Sequence, residues 1–193
     1  MEIVREPGGV TLPLRGHQPH AQQSAFIAEN AILIGDVQIG ERSSIWYSCV
    51  LRADLNAIRI GADTNIQDGT IIHVDSRQYS THIGDRVTVG HMALLHACTL
   101  QDDCMVGMRA TVMDGALVET GAMVAAGALV TPGKQVPSGE VWAGSPAKFM
   151  RAFDASDADM LTYIWEEYRD LGVEYTRAGS DLRRFSRTKF QTD

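Results

Sequence analysis

Three histidines, His73, His91 and His96, stand close together in the middle of this 193-residue chain. Imidazole nitrogen binds zinc at about 2.0–2.1 Å, and three imidazoles with an open fourth position are a known catalytic zinc arrangement. Nearby in sequence are Arg52, Asp54, Gln67 and Asp68. A cation, two carboxylates and an amide are the groups that orient ligands and substrate around an ion. The other histidines fit less well. His17 and His20 lie in a Pro-, Gly- and Gln-rich opening, and His82 follows His73 within a short insertion. A structural hydrogen bond accounts for any single histidine equally well, so the question is what brings three of them together.

The elements that must position them announce themselves as a repeat. Aliphatic residues recur every six positions at Ile27, Leu33, Ile39, Ile45 and Leu51, then at Ile60, Ile66 and Ile72 after a three-residue insertion. A longer insertion precedes Ile83, Val89 and Leu95. After one unit short by a residue come Leu100, Val106, Val112, Val118, Val124, Val130 and Val136. Four residues after each aliphatic position the residue is usually small, as at Ala31, Cys49, Thr99, Cys104 and Ala110. Gly40, Gly61, Gly84, Gly90 and Gly107 directly follow aliphatic positions, where a sharp corner is expected to need permissive backbone. Lys134 and Glu140 in the small slot mark a polar close to the core.

Antiparallel strands would alternate with period two and have variable turn spacing, which eighteen units of period six do not. The pattern resembles the hexapeptide-repeat left-handed parallel β-helix, in which three six-residue sides make one triangular coil. Eighteen units then imply six coils. The expected organisation is an N-terminal arm over 1–24, the β-helix over 25–150, a C-terminal helical segment over 151–178 and a tail over 179–193. Ser156 with Asp159 reads as a capping box for a helix to about residue 172. Its apolar stripe is Met160, Leu161, Ile164, Trp165, Tyr168 and Leu171. The basic tail, with Arg183, Arg184, Arg187 and Lys189, is expected to be a solvated extension.

With three sides per coil, the register says where each histidine points. His73 follows Ile72 and His96 follows Leu95, three units later, so the two occupy one column on adjacent coils. Strands about 4.8 Å apart let both rings reach one ion. His91 lies two residues after Val89 on the preceding face, with Asp68 beneath it and Gln67 beside them. Arg52 falls beneath His73. The site thus splits into two halves, Arg52, Asp54, His73 and His96 against Gln67, Asp68 and His91. A homotrimer, packing three β-helices about a threefold axis, would join each half to its complement.

Arg52-Ala53-Asp54, Asn65-Ile66-Gln67-Asp68-Gly69, His73, and Gly90-His91 followed by Leu95-His96 resemble the metal-site motifs of the γ-class carbonic anhydrases. The resemblance runs through residues 25 to about 150 and into the C-terminal helix. It implies His73 and His96 as ligands from one subunit and His91 from the next. The ion would be Zn2+, with Fe2+ or Co2+ as alternatives that imidazole also suits. Such an ion lowers the pKa of a bound water to about 7, supplying hydroxide to attack carbon dioxide and give bicarbonate. By the same resemblance Gln67 orients nucleophile or substrate, Arg52 and Asp54 form an interface ion pair, and Asp68 supports a ligand. Tyr168 either overhangs the site or simply docks the helix. In two places the chain departs from the family pattern. Leu55 stands where a glutamate follows the position of Asp54, and the segment Val74-Asp75-Ser76-Arg77-Gln78-Tyr79-Ser80-Thr81-His82 lacks the proton-shuttling glutamate. Asp75 and His82 are the local substitutes.

Composition bounds the alternatives. A net charge of −7 disfavours a nucleic-acid partner, which needs a basic face. No apolar run approaches the roughly 18 residues of a membrane span, and the first residues lack the pattern of a signal peptide. Cys49, Cys98 and Cys104 form neither a disulfide framework nor a zinc cluster, and so read as core filler in a reducing, cytoplasmic setting. Two other functions share the repeat: acyl transfer from coenzyme A by a hexapeptide acyltransferase, and a weakly active structural or assembly homologue. An acyltransferase needs one histidine as general base, not three in matching register.

Overall fold

A computed structural model describes residues 9–75 and 78–185, with 179–185 as helix backbone. Each six-residue unit has one large and one small residue that a narrow triangular interior can accept. All eighteen aliphatic repeat positions from Ile27 to Val136 are buried accordingly. The chain winds into a left-handed parallel β-helix of about 7 coils, followed by helix α1 (Ala155–Phe185).

Three faces run along the stack. The first carries Val10–Leu12, the front halves of Ile32–Ile39 and Val50–Ile60, then Ile71–His73, Leu94–His96, Thr111–Val112 and Leu129–Val130. The second begins with His20–Ala21 and continues through the rear halves of the two long strands to Thr81–Ile83, Thr99–Leu100, Leu117–Val118 and Gln135–Val136. The third stacks Phe26–Ile27, Ser44–Ile45, Asn65–Ile66, Thr88–Val89, Met105–Val106, Met123–Val124 and Glu140–Ala143. Lys148–Ala152 then turns back antiparallel on Glu140–Ala143, covering an edge that would otherwise present unpaired backbone.

The coil count exceeds the six expected because the arm is not irregular throughout. Val10–Leu12 pairs with the start of Ile32–Ile39, and His20–Ala21 with its end. Thr11 and Ala21 stand opposite Leu33 and Ile39, where the aliphatic signal of the repeat has lapsed.

In the shortened unit the small interior residue is Cys98, not Thr99. Cys98 is 1% exposed, whereas Thr99 faces outward between His82 and Leu117. Losing one residue moves the slot one place earlier. All three cysteines are free and buried. Burial pushes the Cys49 and Cys98 thiols up to about 12, so these are inert filler.

The glycines after aliphatic positions are needed for approach rather than for corners. A Cβ on Gly61 would lie 2.6 Å from the carbonyl carbon of Gly84, and one on Gly107 would lie 2.5 Å from the nitrogen of Ala126. The left-handed corners fall elsewhere, at residues such as Arg42, Asp63, Arg86 and Asp103. There Arg42 grips Asp63 at 2.7 and 2.7 Å, and Arg86 grips Asp103 at 2.7 and 2.9 Å.

Helix α1 is capped two residues earlier than Ser156 and Asp159 suggest. Asp154 Oδ1 accepts from the backbone N–H of Ser156 and Asp157, while Asp157 Oδ2 accepts from that of Asp154. The helix also continues to Phe185 instead of ending near residue 172. Gly172 is a mid-helix packing site, where a Cβ would come 3.1 Å from Phe26 Cβ. The helix lies along the third face. Leu161 packs with Met123 and Val141, and the rings of Tyr168 and Tyr175 meet Trp46 and Phe26. Met160 is left out of that stripe, at 39% exposed. Arg187 and Lys189 lie outside the described residues, and Arg183 and Arg184 belong to the helix rather than to an extension. Among the described residues no helix is long and apolar enough to cross a membrane.

Arg151 donates to Asp157 at 2.5 and 2.8 Å. That pairing, against an opposing effect of burial, lowers the Asp157 carboxyl to about 2. A depressed carboxyl stabilises the fold above its unfolded pKa of about 3.9, and the contribution disappears as pH falls toward about 2. Asp157→Ala is therefore expected to lower the melting temperature at about pH 7, by an amount in keeping with a cap worth about 0.5–2 kcal/mol. The gap to the parent should narrow in thermal melts near pH 2. A gap of constant size would show that the carboxylate charge plays no part.

Candidate metal centre

Leu94–His96 lies in register on Ile71–His73, so His96 stacks directly over His73. Their ring centres are 5.0 Å apart, and His73 Nδ1 stands 3.1 Å from His96 Nε2. Two ligands of one tetrahedral zinc, each at about 2.0–2.1 Å, stand about 3.3 Å from each other. The inner nitrogens thus already have nearly the spacing of a ligand pair. The outer nitrogens are held by carboxylates, His73 Nε2 by Asp54 Oδ1 at 2.9 Å and His96 Nδ1 by Asp114 Oδ1 at 2.5 Å. Arg52 Nη1 donates to the other oxygen of Asp54 at 2.5 Å, an ion pair made within one chain. Burial alone would raise the Asp54 carboxyl, but hydrogen bonds from His73 and Arg52 outweigh it and hold it below its ordinary value.

The second group is built at the corner after Thr88–Val89. Pairing of Val89 with Ile66 places Asp68 under His91, and Asp68 Oδ2 lies 2.9 Å from His91 Nδ1. The other Asp68 oxygen accepts from the Tyr47 backbone N–H at 3.2 Å. Tyr168 reaches in from α1, its hydroxyl 3.4 Å from His91 Nε2 and its ring edge-on to Trp46 at 5.3 Å. Burial, with the charge of Asp68, raises the Tyr168 phenol. Gln67 is buried and donates through Nε2 to Asn65 Oδ1 at 3.1 Å.

Arg52, Asp54, His73 and His96 are therefore together, and so are Gln67, Asp68, His91 and Tyr168. The two groups do not meet within one chain. Among the described residues no three His, Cys, Asp or Glu side chains converge to hold an ion. Between them runs an outward column of the first face, Val10, Ile32, Val50, Ile71 and Leu94, linked in register. Ile71 is 46% exposed, and Met92 and Met108 at the adjoining corner are exposed as well.

Asp114 escaped the sequence reading. It stands 18 residues after His96, one plain coil further on, and that spacing was the only signal available. His82 is placed elsewhere, on the second face between Arg59 and Thr99, with Ser80 Oγ at 2.6 Å from its Nε2. His17 lies 3.9 Å from Asp36, and His20 is exposed on the second face.

No family model matches the chain. Gamma carbonic anhydrase 2, mitochondrial, of Arabidopsis thaliana is 56% identical over 158 residues, which are 79% of this chain and 57% of that protein. A carbonic anhydrase of Geobacillus kaustophilus is 41% identical over 84% of this chain and 89% of its own length. The chain belongs to the γ-carbonic anhydrase family. The crystal structure of a hexapeptide transferase family protein from Anaplasma phagocytophilum superposes with a TM-score of 0.82 at 48% identity, covering 86% of this chain and 97% of that one. This γ-carbonic anhydrase chain spans about three-fifths of the length of its plant relatives.

The donor set of this family member fits a divalent ion of the zinc type. Its nitrogens are imidazole, and each of the three rings has one nitrogen held by an aspartate, the pattern that fixes ring orientation at metal sites. The two departures from the γ-carbonic anhydrase pattern also have places in the structure. Leu55 is 42% exposed beside Asp54. Asp75 Oδ2 is engaged as a turn acceptor for the Gln78 N–H at 2.9 Å, and Ser76 and Arg77 lie outside the described residues.

Proposed function

We propose that the protein catalyses reversible hydration of carbon dioxide to bicarbonate at sites formed between copies of the chain in a homotrimer. His73 and His96 come from one copy and His91 from the next. The observation that carries this reading is the separation of three aspartate-held histidines into two groups flanking an exposed apolar column. An ion of zinc, iron or cobalt bound there would acidify a water to a pKa of about 7.

The chain's own residues do the rest. Asp54, Asp68 and Asp114 hold the rings. Gln67, with Nε2 committed to Asn65, leaves its carbonyl oxygen to orient the attacking water. Arg52, tied through Asp54 to His73, presents a cation to bicarbonate. Tyr168 closes the site over His91 and limits its water. Three buried free thiols fit a reducing compartment, the cytoplasm or an organelle matrix.

Each turnover must export a proton, and neither Leu55 nor the short segment after His73 offers a glutamate for it. Zinc-loaded protein is therefore expected to hydrate carbon dioxide slowly in inert buffer and faster as imidazole is added, because a mobile base of pKa near 7 carries the proton away. Leu55→Glu should raise turnover, weaken the buffer dependence and leave metal content unchanged. Stopped-flow hydration with parallel metal analysis checks this. A metal-loaded trimer inactive at every buffer concentration would point to an assembly role.

Acyl transfer from coenzyme A is a second reading, favoured by the close superposition on a protein described as a hexapeptide transferase. Acetyl transfer from acetyl-coenzyme A that persists after all three histidines are replaced would establish it.

A further inference from the structure

We propose that Asp114 is a positioning residue for His96, and through it for the bound ion. The proposal rests on His96 being a ligand. Asp114 holds the Nδ1 of His96 as Asp54 holds a nitrogen of His73 and Asp68 one of His91, yet it lies outside the motifs that carry the other two.

The carboxylate stands on a fixed frame. Its own carbonyl accepts from Gly133 N–H at 2.8 Å, the preceding Met113 N–H donates to Val130 at 3.1 Å, and the following Gly115 N–H donates to Ala97 at 2.8 Å. Those bonds tie Asp114 both to the coil carrying His96 and to the coil beyond. Tyr79 folds over the same place, close enough that a Cβ on Gly115 would lie 3.1 Å from its Cζ.

A carboxylate at Nδ1 has one chemical consequence for the ring. In the ligand role the imidazole would carry its proton on Nδ1 and donate it to Asp114, leaving the Nε2 lone pair for the ion on the His73 side. Without the carboxylate the proton can sit on either nitrogen and the ring can turn. Asp54 serves His73 in the same way but is shared with Arg52. Asp114 faces His96 from the opposite end of the pair, so the two rings are clamped from outside with His73 Nδ1 and His96 Nε2 facing each other inside.

The test is competitive zinc titration of the full-length metal-free trimer for the parent, Asp114→Ala, Asp114→Asn and His96→Ala, with nitrogen-15 NMR of the histidine rings. Asp114→Ala is expected to weaken zinc binding by about 10–100-fold, the usual cost of losing an outer partner of a ligand. It should also convert one histidine from the Nδ1–H form to a tautomer mixture. Asp114→Asn, whose amide oxygen still accepts from Nδ1–H, should recover most of both. Zinc affinity within about twofold of the parent and unchanged ring spectra in Asp114→Ala would overturn the proposal, even if its melting temperature fell. Parent-like zinc binding by His96→Ala would instead remove the ligand reading, and the proposal with it.

Discussion

Alanine at His73 is expected to abolish metal retention, and alanine at His91 to do the same, yet a mixture of the two proteins should regain metal. His73 lies with His96 on the first face, while His91 sits at the preceding corner with Asp68, so in the proposed trimer one chain would contribute to two different sites. In a mixed trimer one of the three interfaces joins a wild-type His73–His96 pair to a wild-type His91, whichever mutant is in the majority. Random assembly from equal amounts makes three-quarters of trimers mixed, so about one quarter of all sites become whole. Metal analysis after unfolding and co-refolding, with native mass spectrometry to verify subunit mixing, measures this. No recovery in verified mixed trimers would mean that the donors do not combine across an interface.

The second large effect concerns the apolar column. Ile71→Lys combined with Leu94→Lys is expected to yield monomers that keep the β-helix circular dichroism but bind no metal. Both side chains point outward, 46% and 37% exposed, so lysine there disturbs no core contact. An ammonium trapped without a partner at an apolar contact costs several kcal/mol, and threefold symmetry would apply that cost at every interface. Sedimentation velocity distinguishes the outcomes. Unchanged trimers would place the interface elsewhere, and well-folded monomers with full metal content would remove the need for one.

Much of the β-helix was legible because a six-residue period is local and survives insertions. Ile72, Leu95 and their neighbours fix the columns, and the columns put His96 over His73 and His91 over Asp68 from counting alone. Reading failed where the period weakened or where the cause was not periodic. Thr11 and Ala21 take aliphatic places in the first coil with no hydrophobic signature. A single deletion shifted the interior slot from Thr99 to Cys98. The helix end expected near residue 172 missed the packing of Gly172 against Phe26, which nothing local discloses. The rule that the glycines turn corners was physically wrong at Gly61 and Gly107, where the next coil, not the backbone angle, excludes a side chain. Asp114 lay beyond the motif and became visible only with its carboxylate against His96.

The parallel stack gives each coil hydrogen-bonding neighbours above and below, except at the two ends. Such an array opens as a column of coins does, by shedding from its ends inward, because removing an end coil breaks one interface and removing an inner one breaks two. Ile71–His73 and Leu94–His96 sit with Val50–Ile60 on one side and Thr111–Val112 on the other, well inside both ends. Thermal fraying therefore reaches the strands that hold the donor pair last. The outermost coils act as sacrificial layers, loosening first while the interior turns keep their register.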